Sequence, residues 1–98
     1  SAASDVYKRQ AAKAGLEAIT KGLARELAPE IKVNAIAPGA MLEPPDVTWT
    51  EEQKNKVIDS IPLKRMGSEK DIAEAVKFLA HSDYITGQII KVDGGRSL

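Results

Sequence analysis

The chain reads as α/β, the end of a larger parallel sheet, with the order helix, strand, short helix, helix, strand. Three observations predict this. The run from Ile31 to Ala37 is short and apolar, and Pro38-Gly39 ends it abruptly, as a buried strand entering a loop would. Helical periodicity leads into that run from Ala11 and recurs twice after it. A second β-favouring run, Ile85 to Val92, closes on the turn Asp93-Gly94-Gly95. A buried parallel strand between helices delivers its loop to a site, so an active region should start near Pro38. Two strands make a poor core on their own, and 98 residues are few for an open α/β enzyme, so the pattern suggests part of a bigger sheet.

Ser1 to Gln10 is polar and follows neither period, so a frayed or extended end is expected there. From Ala11 to about Ala28, Ala12, Leu16, Ile19, Leu23 and Leu27 recur at helical spacing and draw one apolar stripe, which Pro29 stops. A second face carries Ala11, Gly15, Ala18 and Gly22, all small. Glycines inside a helix cost about 1 kcal/mol each relative to alanine, which suggests close packing of another backbone there. In the strand that follows, Asn34 stands where an apolar residue is expected. If buried, its amide must be paired, which suggests a brace to neighbouring backbone.

After Pro38-Gly39 the adjacent prolines Pro44 and Pro45 forbid regular helix, and Trp49 either anchors the loop or leans on a ligand. Thr50 with Gln53 three residues on, and Glu51 and Glu52 between them, predicts a capped short helix from Glu51 to about Asp59. Its apolar payload is Val57, Ile58 and Ile61. Ser68 with Asp71 repeats the capping spacing and opens a helix from Glu69 to about Ala80, whose stripe is Ile72, Val76 and Leu79, filled in by Ala75 and Phe78. Lys64 and Arg65 read as a solvated turn. His81 stands where that helix ends, a favourable place for a cation.

Composition narrows the function classes. The 14 basic and 14 acidic residues are interspersed, which argues against nucleic acid and anionic membrane as partners. Cysteine is absent and there is one histidine, so no metal site is expected. No apolar run approaches the roughly 20 residues of a spanning helix, and the default address is the cytoplasm.

Four ordered signatures then point to a family: Lys13-Ala14-Gly15-Leu16-Glu17-Ala18-Ile19-Thr20, Leu23-Ala24-Arg25-Glu26-Leu27-Ala28-Pro29, Ile31 to Gly39, and Ile85-Thr86-Gly87-Gln88 with Val92-Asp93-Gly94-Gly95. With Ile61 to Gly67 and Asp71-Ile72-Ala73 between them, they resemble the carboxyl-terminal part of short-chain dehydrogenase/reductases, and the resemblance covers nearly all of Ala11 to Leu98. The loop after Pro38-Gly39 and the ending Asp93 to Leu98 look like the pteridine reductase branch. The resemblance implies a doubly wound Rossmann-type parallel sheet, of which residues 11–98 are the carboxyl-terminal portion, and NADP or NAD as cofactor of the full-length parent. It implies that Lys13 is catalytic, holding the nicotinamide ribose and favouring a tyrosinate partner, and that Ala37, Pro38 and Gly39 hold the nicotinamide ring. A small carbonyl or pterin-like substrate and a homo-oligomer, dimer or tetramer, follow for the full-length protein.

The departures from the family pattern bear on the site. Four residues before Lys13, where the family has its tyrosine, stands Arg9. Tyr7 is out of register by two, a turn of about 200 degrees on a helix. Ser4 is too near the tyrosine position to be the family's serine, no glycine-rich cofactor turn is present, and Glu43 falls near the family's threonine. Residues 1–10 are accordingly read as a disordered or non-native leader and the isolated chain as inactive, since a lysine without proton donor and cofactor fold cannot run the reaction. Two other classes remain open: a non-catalytic interaction or oligomerisation module using Gly15, Ala18 and Gly22, and acid–base chemistry at Glu43 and Asp46.

Overall fold

A computed structural model of the chain describes residues 1–39 and 48–98. The elements follow the expected order: α1 (Ala2–Leu27), β1 (Ala35–Pro38), α2 (Glu51–Asp59), α3 (Glu69–His81) and β2 (Ile89–Val92). Pro44, Pro45, Glu43 and Asp46 lie outside the described residues. The chain divides into two compact units, Ser1–Ala35 with Ser82–Ile89, and Ile36–His81 with Ile90–Leu98.

β1 and β2 pair in a two-stranded sheet. The Ala35 N–H donates to the Gln88 carbonyl at 2.9 Å, and four residues further along each strand the Gly39 N–H donates to the Val92 carbonyl at 2.9 Å. The shared direction makes the strands parallel, as predicted. Both are shorter than the apolar runs suggest: Ile31 is exposed and non-strand, and pairing reaches strand geometry only at Ala35 and at Ile89. Side chains take over before Ala35. The Val33 N–H donates to Thr86 Oγ1, Asn34 Nδ2 donates to the Ile85 carbonyl at 3.0 Å, and Asn34 Oδ1 accepts from the Gln88 N–H at 3.0 Å. Asn34 is thus the backbone brace that its position suggested, and both ends of its amide are used.

In the first unit, helix α1 corrects two expectations. The frayed or extended end expected over Ser1 to Gln10 is helical from Ala2, with the Ser1 hydroxyl accepting from the Ser4 N–H at 3.2 Å. The cause is local: Ser1 caps, Asp5 lies in the positive first turn, and Ala2, Ala3, Lys8, Arg9 and Gln10 are helix formers with no proline or glycine among them. Periodicity found no stripe there because this stretch buries none. The second correction concerns which face packs. Of the predicted stripe, Leu16, Ile19 and Leu23 are exposed, Ile19 at 62%, whereas Thr20 is 3% exposed and Ala24 is buried beside it. Thr20 Oγ1 donates back to the Leu16 carbonyl at 2.7 Å, so burial leaves its hydroxyl satisfied. Small residues are what this contact needs. An added Cβ on Gly87, which has φ +75°, would stand 3.4 Å from the Ala24 methyl, so the backbone at Gly87 comes close to α1.

In the second unit, Thr50 and Gln53 form the predicted capping box, with Thr50 Oγ1 accepting from the Gln53 N–H and Gln53 Oε1 accepting from the Thr50 N–H. Just past α2, Ile61 is the least exposed large side chain among the described residues, at 1%. It sits against Gly94, and the Leu63 N–H donates to the Gly94 carbonyl, so the turn after α2 is seated on the turn after β2. Along α3, Ile72 and Ala75 are half-buried and Leu79 is buried, while Val76 and Phe78 face outward. The contact face is therefore narrower than the predicted stripe. His81 is the last residue of α3, and its Nδ1 donates to the Lys77 carbonyl.

Candidate functional site

The residues singled out from the sequence fall in both units. Lys13 lies midway along α1 in the first unit, with its side chain exposed. Ala37, Pro38 and Gly39 lie together at the carboxyl end of β1 in the second. Because α1 is continuous from Ala2, the helical register between Lys13 and the residues before it holds without a break. Arg9 therefore stands one turn before Lys13, and its Nε donates to the Asp5 carbonyl at 3.4 Å. Tyr7, 74% exposed, projects about 200 degrees away from the Arg9 position.

The end of β1 is built by contact with the end of β2. Gly39 is glycine for packing reasons: an added Cβ would lie 2.5 Å from the Asp93 Cβ and 2.6 Å from its Cα. Pro38, one residue earlier, is exposed and carries no N–H. On the other side of that contact, Asp93 Oδ1 accepts from the Gly95 N–H at 2.9 Å and Oδ2 accepts from the Ser97 N–H at 3.2 Å. The Ser97 side chain first, and the Gly95 N–H after it, hold the Asp93 carboxyl below the usual carboxylate range. The sequence marked Asp93-Gly94-Gly95 as a turn but gave no sign that it backs Gly39, since the two are far apart along the chain.

A second polar cluster lies at the start of α3. Arg65 Nη1 and Nη2 each donate to Asp71 at 2.9 Å, a two-bond fork, and Asp71 Oδ2 also accepts from the Ser68 N–H at 2.8 Å and the Ser68 hydroxyl at 3.1 Å. Lys64 and Arg65 are exposed, as a solvated turn would leave them, but Arg65 is paired with Asp71, and half of the capping box expected at Ser68 is replaced. The serine hydroxyl donates to the carboxylate instead of accepting from the helix, because the ionised carboxylate is the stronger acceptor. The Arg65 guanidinium, followed by the Ser68 N–H, holds Asp71 well below the usual carboxylate range, and Asp71 in turn raises Arg65. A cavity of about 450 Å³ opens beside these groups, lined by Pro62, Arg65, Asp71, Lys91, Gly94 and Leu98 among others. Its arginine and aspartate satisfy each other, so it is no match for the convergent charges of a reaction centre. Among the described residues no group of His, Cys, Asp or Glu is arranged to hold a metal, and no helix is long and apolar enough to cross a membrane.

Comparison with known proteins gives consistent matches over most of the chain. Residues 2–97 match the model of a family described as enoyl-(acyl carrier protein) reductase. A glucose 1-dehydrogenase of Gluconobacter oxydans is 45% identical over 93 residues, which cover 90% of this chain and 35% of that protein. A 3-oxoacyl-acyl-carrier-protein reductase of Staphylococcus epidermidis is 47% identical over 88 residues, 87% of this chain and 36% of that one. Among solved structures, a small-chain dehydrogenase in complex with NADPH superposes with a TM-score of 0.80 at 37% identity, covering 92% of this chain and 42% of that chain. The chain thus spans 35% and 36% of the length of the two curated relatives it matches.

Proposed function

The chain belongs to the short-chain dehydrogenase/reductase family, and from that premise we propose that it is the carboxyl-terminal share of a parent enzyme that moves hydride between NADP or NAD and a carbonyl or imine carbon. The match of residues 2–97 to the family model carries this reading. The NADPH bound to a small-chain dehydrogenase of the same fold supports the cofactor class. A nicotinamide, when bound, supplies the hydride. What the chain's own residues do follows from their positions. Lys13 is an exposed residue whose ammonium would donate to a ribose diol and favour an anionic oxygen beside it. Ala37, Pro38 and Gly39 present backbone at the carboxyl end of a parallel strand, where open α/β sheets bind ligands.

The residues present fit only part of such a site. Arg9 holds the place of the family's tyrosine, and no residue of α1 can deliver a phenol to the same face. In this reading the isolated chain is inactive: Arg9 leaves the tyrosine position without a phenol, and the glycine-rich cofactor turn belongs to the part of the parent outside these 98 residues. The named relatives are named for unlike substrates, glucose and a 3-oxoacyl-acyl-carrier-protein, so the proposed substrate class stays at a small carbonyl or pterin-like compound. Sequencing the source locus upstream of Ser1 tests the reading. In-frame coding sequence for a glycine-rich half is expected; an in-frame start near Ser1 with no such half would overturn it.

One observation favours a second role for the same chain. Gly15 and Gly22 have nothing within 4 Å of the Cβ each lacks, and Leu16, Ile19 and Leu23 stand exposed on the same helix. We read this as a face for joining copies of the parent into a dimer or tetramer. Native mass measurement of a defined complex without nicotinamide affinity would favour a purely structural module over the enzyme.

A further inference from the structure

We propose that Asp93 is a positioning residue for the Pro38–Gly39 backbone, acting from the end of β2 on the loop that carries the nicotinamide; the inference rests on the reading of residues 37–39 given above. The argument begins with Gly39. Its amide is fixed by the Val92 carbonyl at 2.9 Å, and its Cα lies so near the Asp93 backbone that a methyl group would overlap Asp93 Cα and Cβ. The place of Gly39 is therefore set by wherever the Asp93 Cα–Cβ bond stands. That bond is in turn held by its own carboxylate, which accepts from Gly95 and Ser97, while the Asp93 carbonyl accepts from the Arg96 N–H at 3.1 Å. Ionised acceptors make the stronger hydrogen bonds, so this turn is stiff.

The far side of the turn is anchored as well. Gly94 packs on the buried Ile61, where an added Cβ would lie 2.6 Å from Cγ2, and its carbonyl accepts from the Leu63 N–H at 3.1 Å. Asp93 thus stands between the buried Ile61 and the Pro38–Gly39 backbone. Removing its carboxylate frees the Asp93 side of the contact while leaving the Ile61 side in place. Asp93 touches no reacting atom in this account and acts only through Gly39.

Two variants and two readouts test this. Asp93→Ala removes both acceptors, and Asp93→Asn keeps one oxygen. In the 98-residue chain, amide exchange at Gly39 should be about tenfold faster in Asp93→Ala and intermediate in Asp93→Asn, the scale of one lost hydrogen bond. In the parent enzyme, Asp93→Ala should weaken NADPH or NADH by about tenfold, with partial rescue by Asp93→Asn, while ADP-ribose, which lacks the nicotinamide ring, binds as in the wild type. Equal losses for the dinucleotide and ADP-ribose would mean a merely structural role and overturn the proposal. So would unchanged Gly39 exchange in both variants. Should Asp93→Ala fail to fold, Asp93→Asn alone decides by the same comparison. A wild-type parent that binds no nicotinamide, with the Gly39 effect intact, would overturn the cofactor reading and leave Asp93 an anchor without a cofactor to position.

Discussion

Alanine at Gly94 meets two penalties at once. Its φ of +63° is left-handed, a region that costs an L-residue about 1–2 kcal/mol. The added methyl would also lie 2.6 Å from Ile61 Cγ2, with the Leu63 Cβ at 3.7 Å behind it. Ile61 is 1% exposed, so it has no outward path of escape, and overpacking a site of this kind costs about 1–3 kcal/mol. The sum, about 2–5 kcal/mol, is a large part of the roughly 5–15 kcal/mol that holds an ordinary domain together. Urea denaturation followed by far-ultraviolet circular dichroism should therefore show a large fall in midpoint for Gly94→Ala, without a change of slope. Gly94→Asn separates the two penalties, because asparagine tolerates the left-handed region but keeps the clash, and it should fall between wild type and alanine. A loss below about 1 kcal/mol for alanine would refute the packing of Gly94 on Ile61, since that is less than the two penalties at their smallest.

Three further outcomes follow from the same geometry. Gly22→Ala, in a helix interior with open space around it, should stabilise the isolated chain by about 1 kcal/mol, and should destabilise the parent if α1 packs closely there on another copy; comparing the two midpoints reads the sign. Asp71 and Asp93 are both held below their ordinary value in the fold, so the unfolded chain takes up protons first as pH falls. The stability they contribute is complete above the unfolded value of about 3.9 and is lost below it, as pH falls through their folded values. A urea midpoint that drops below about pH 4, and drops less steeply in Asp71→Asn, is the expected profile. In the parent, Lys13→Met should weaken nicotinamide binding, and a titration with unchanged affinity would remove Lys13 from the site.

Local chemistry was legible in the sequence, and long-range chemistry was not. Thr50 and Gln53 are three residues apart and form their capping box whatever else surrounds them, so spacing sufficed. Asn34 announced that it needed partners, yet its partners Ile85 and Gln88 are brought in by the parallel pairing of strands, which spacing cannot show. The stripe on α1 misled because apolar residues at helical spacing mark a face fit for burial, whereas the residues of α1 buried within this chain are Thr20 and Ala24, beside which Gly87 approaches, and neither belongs to the stripe or to the Gly15–Gly22 face. Ser1 to Gln10 misled for the opposite reason: a helix that buries nothing has no apolar period to find. Arg65 and Asp71 are separated by a turn whose path periodicity does not describe. As for the site, the family motifs propose Lys13 and Pro38-Gly39 as its residues, and the backing of Gly39 by Asp93 emerges only from the fold.

The most direct test of the central claim is a fluorescence titration of NADPH and NADH into the parent enzyme and into the 98-residue chain, side by side. Binding by the parent and none by the isolated chain is the expected result, because under the proposed reading the glycine-rich cofactor turn lies outside these 98 residues. Binding of equal strength by the isolated chain, or none by the parent, would contradict it.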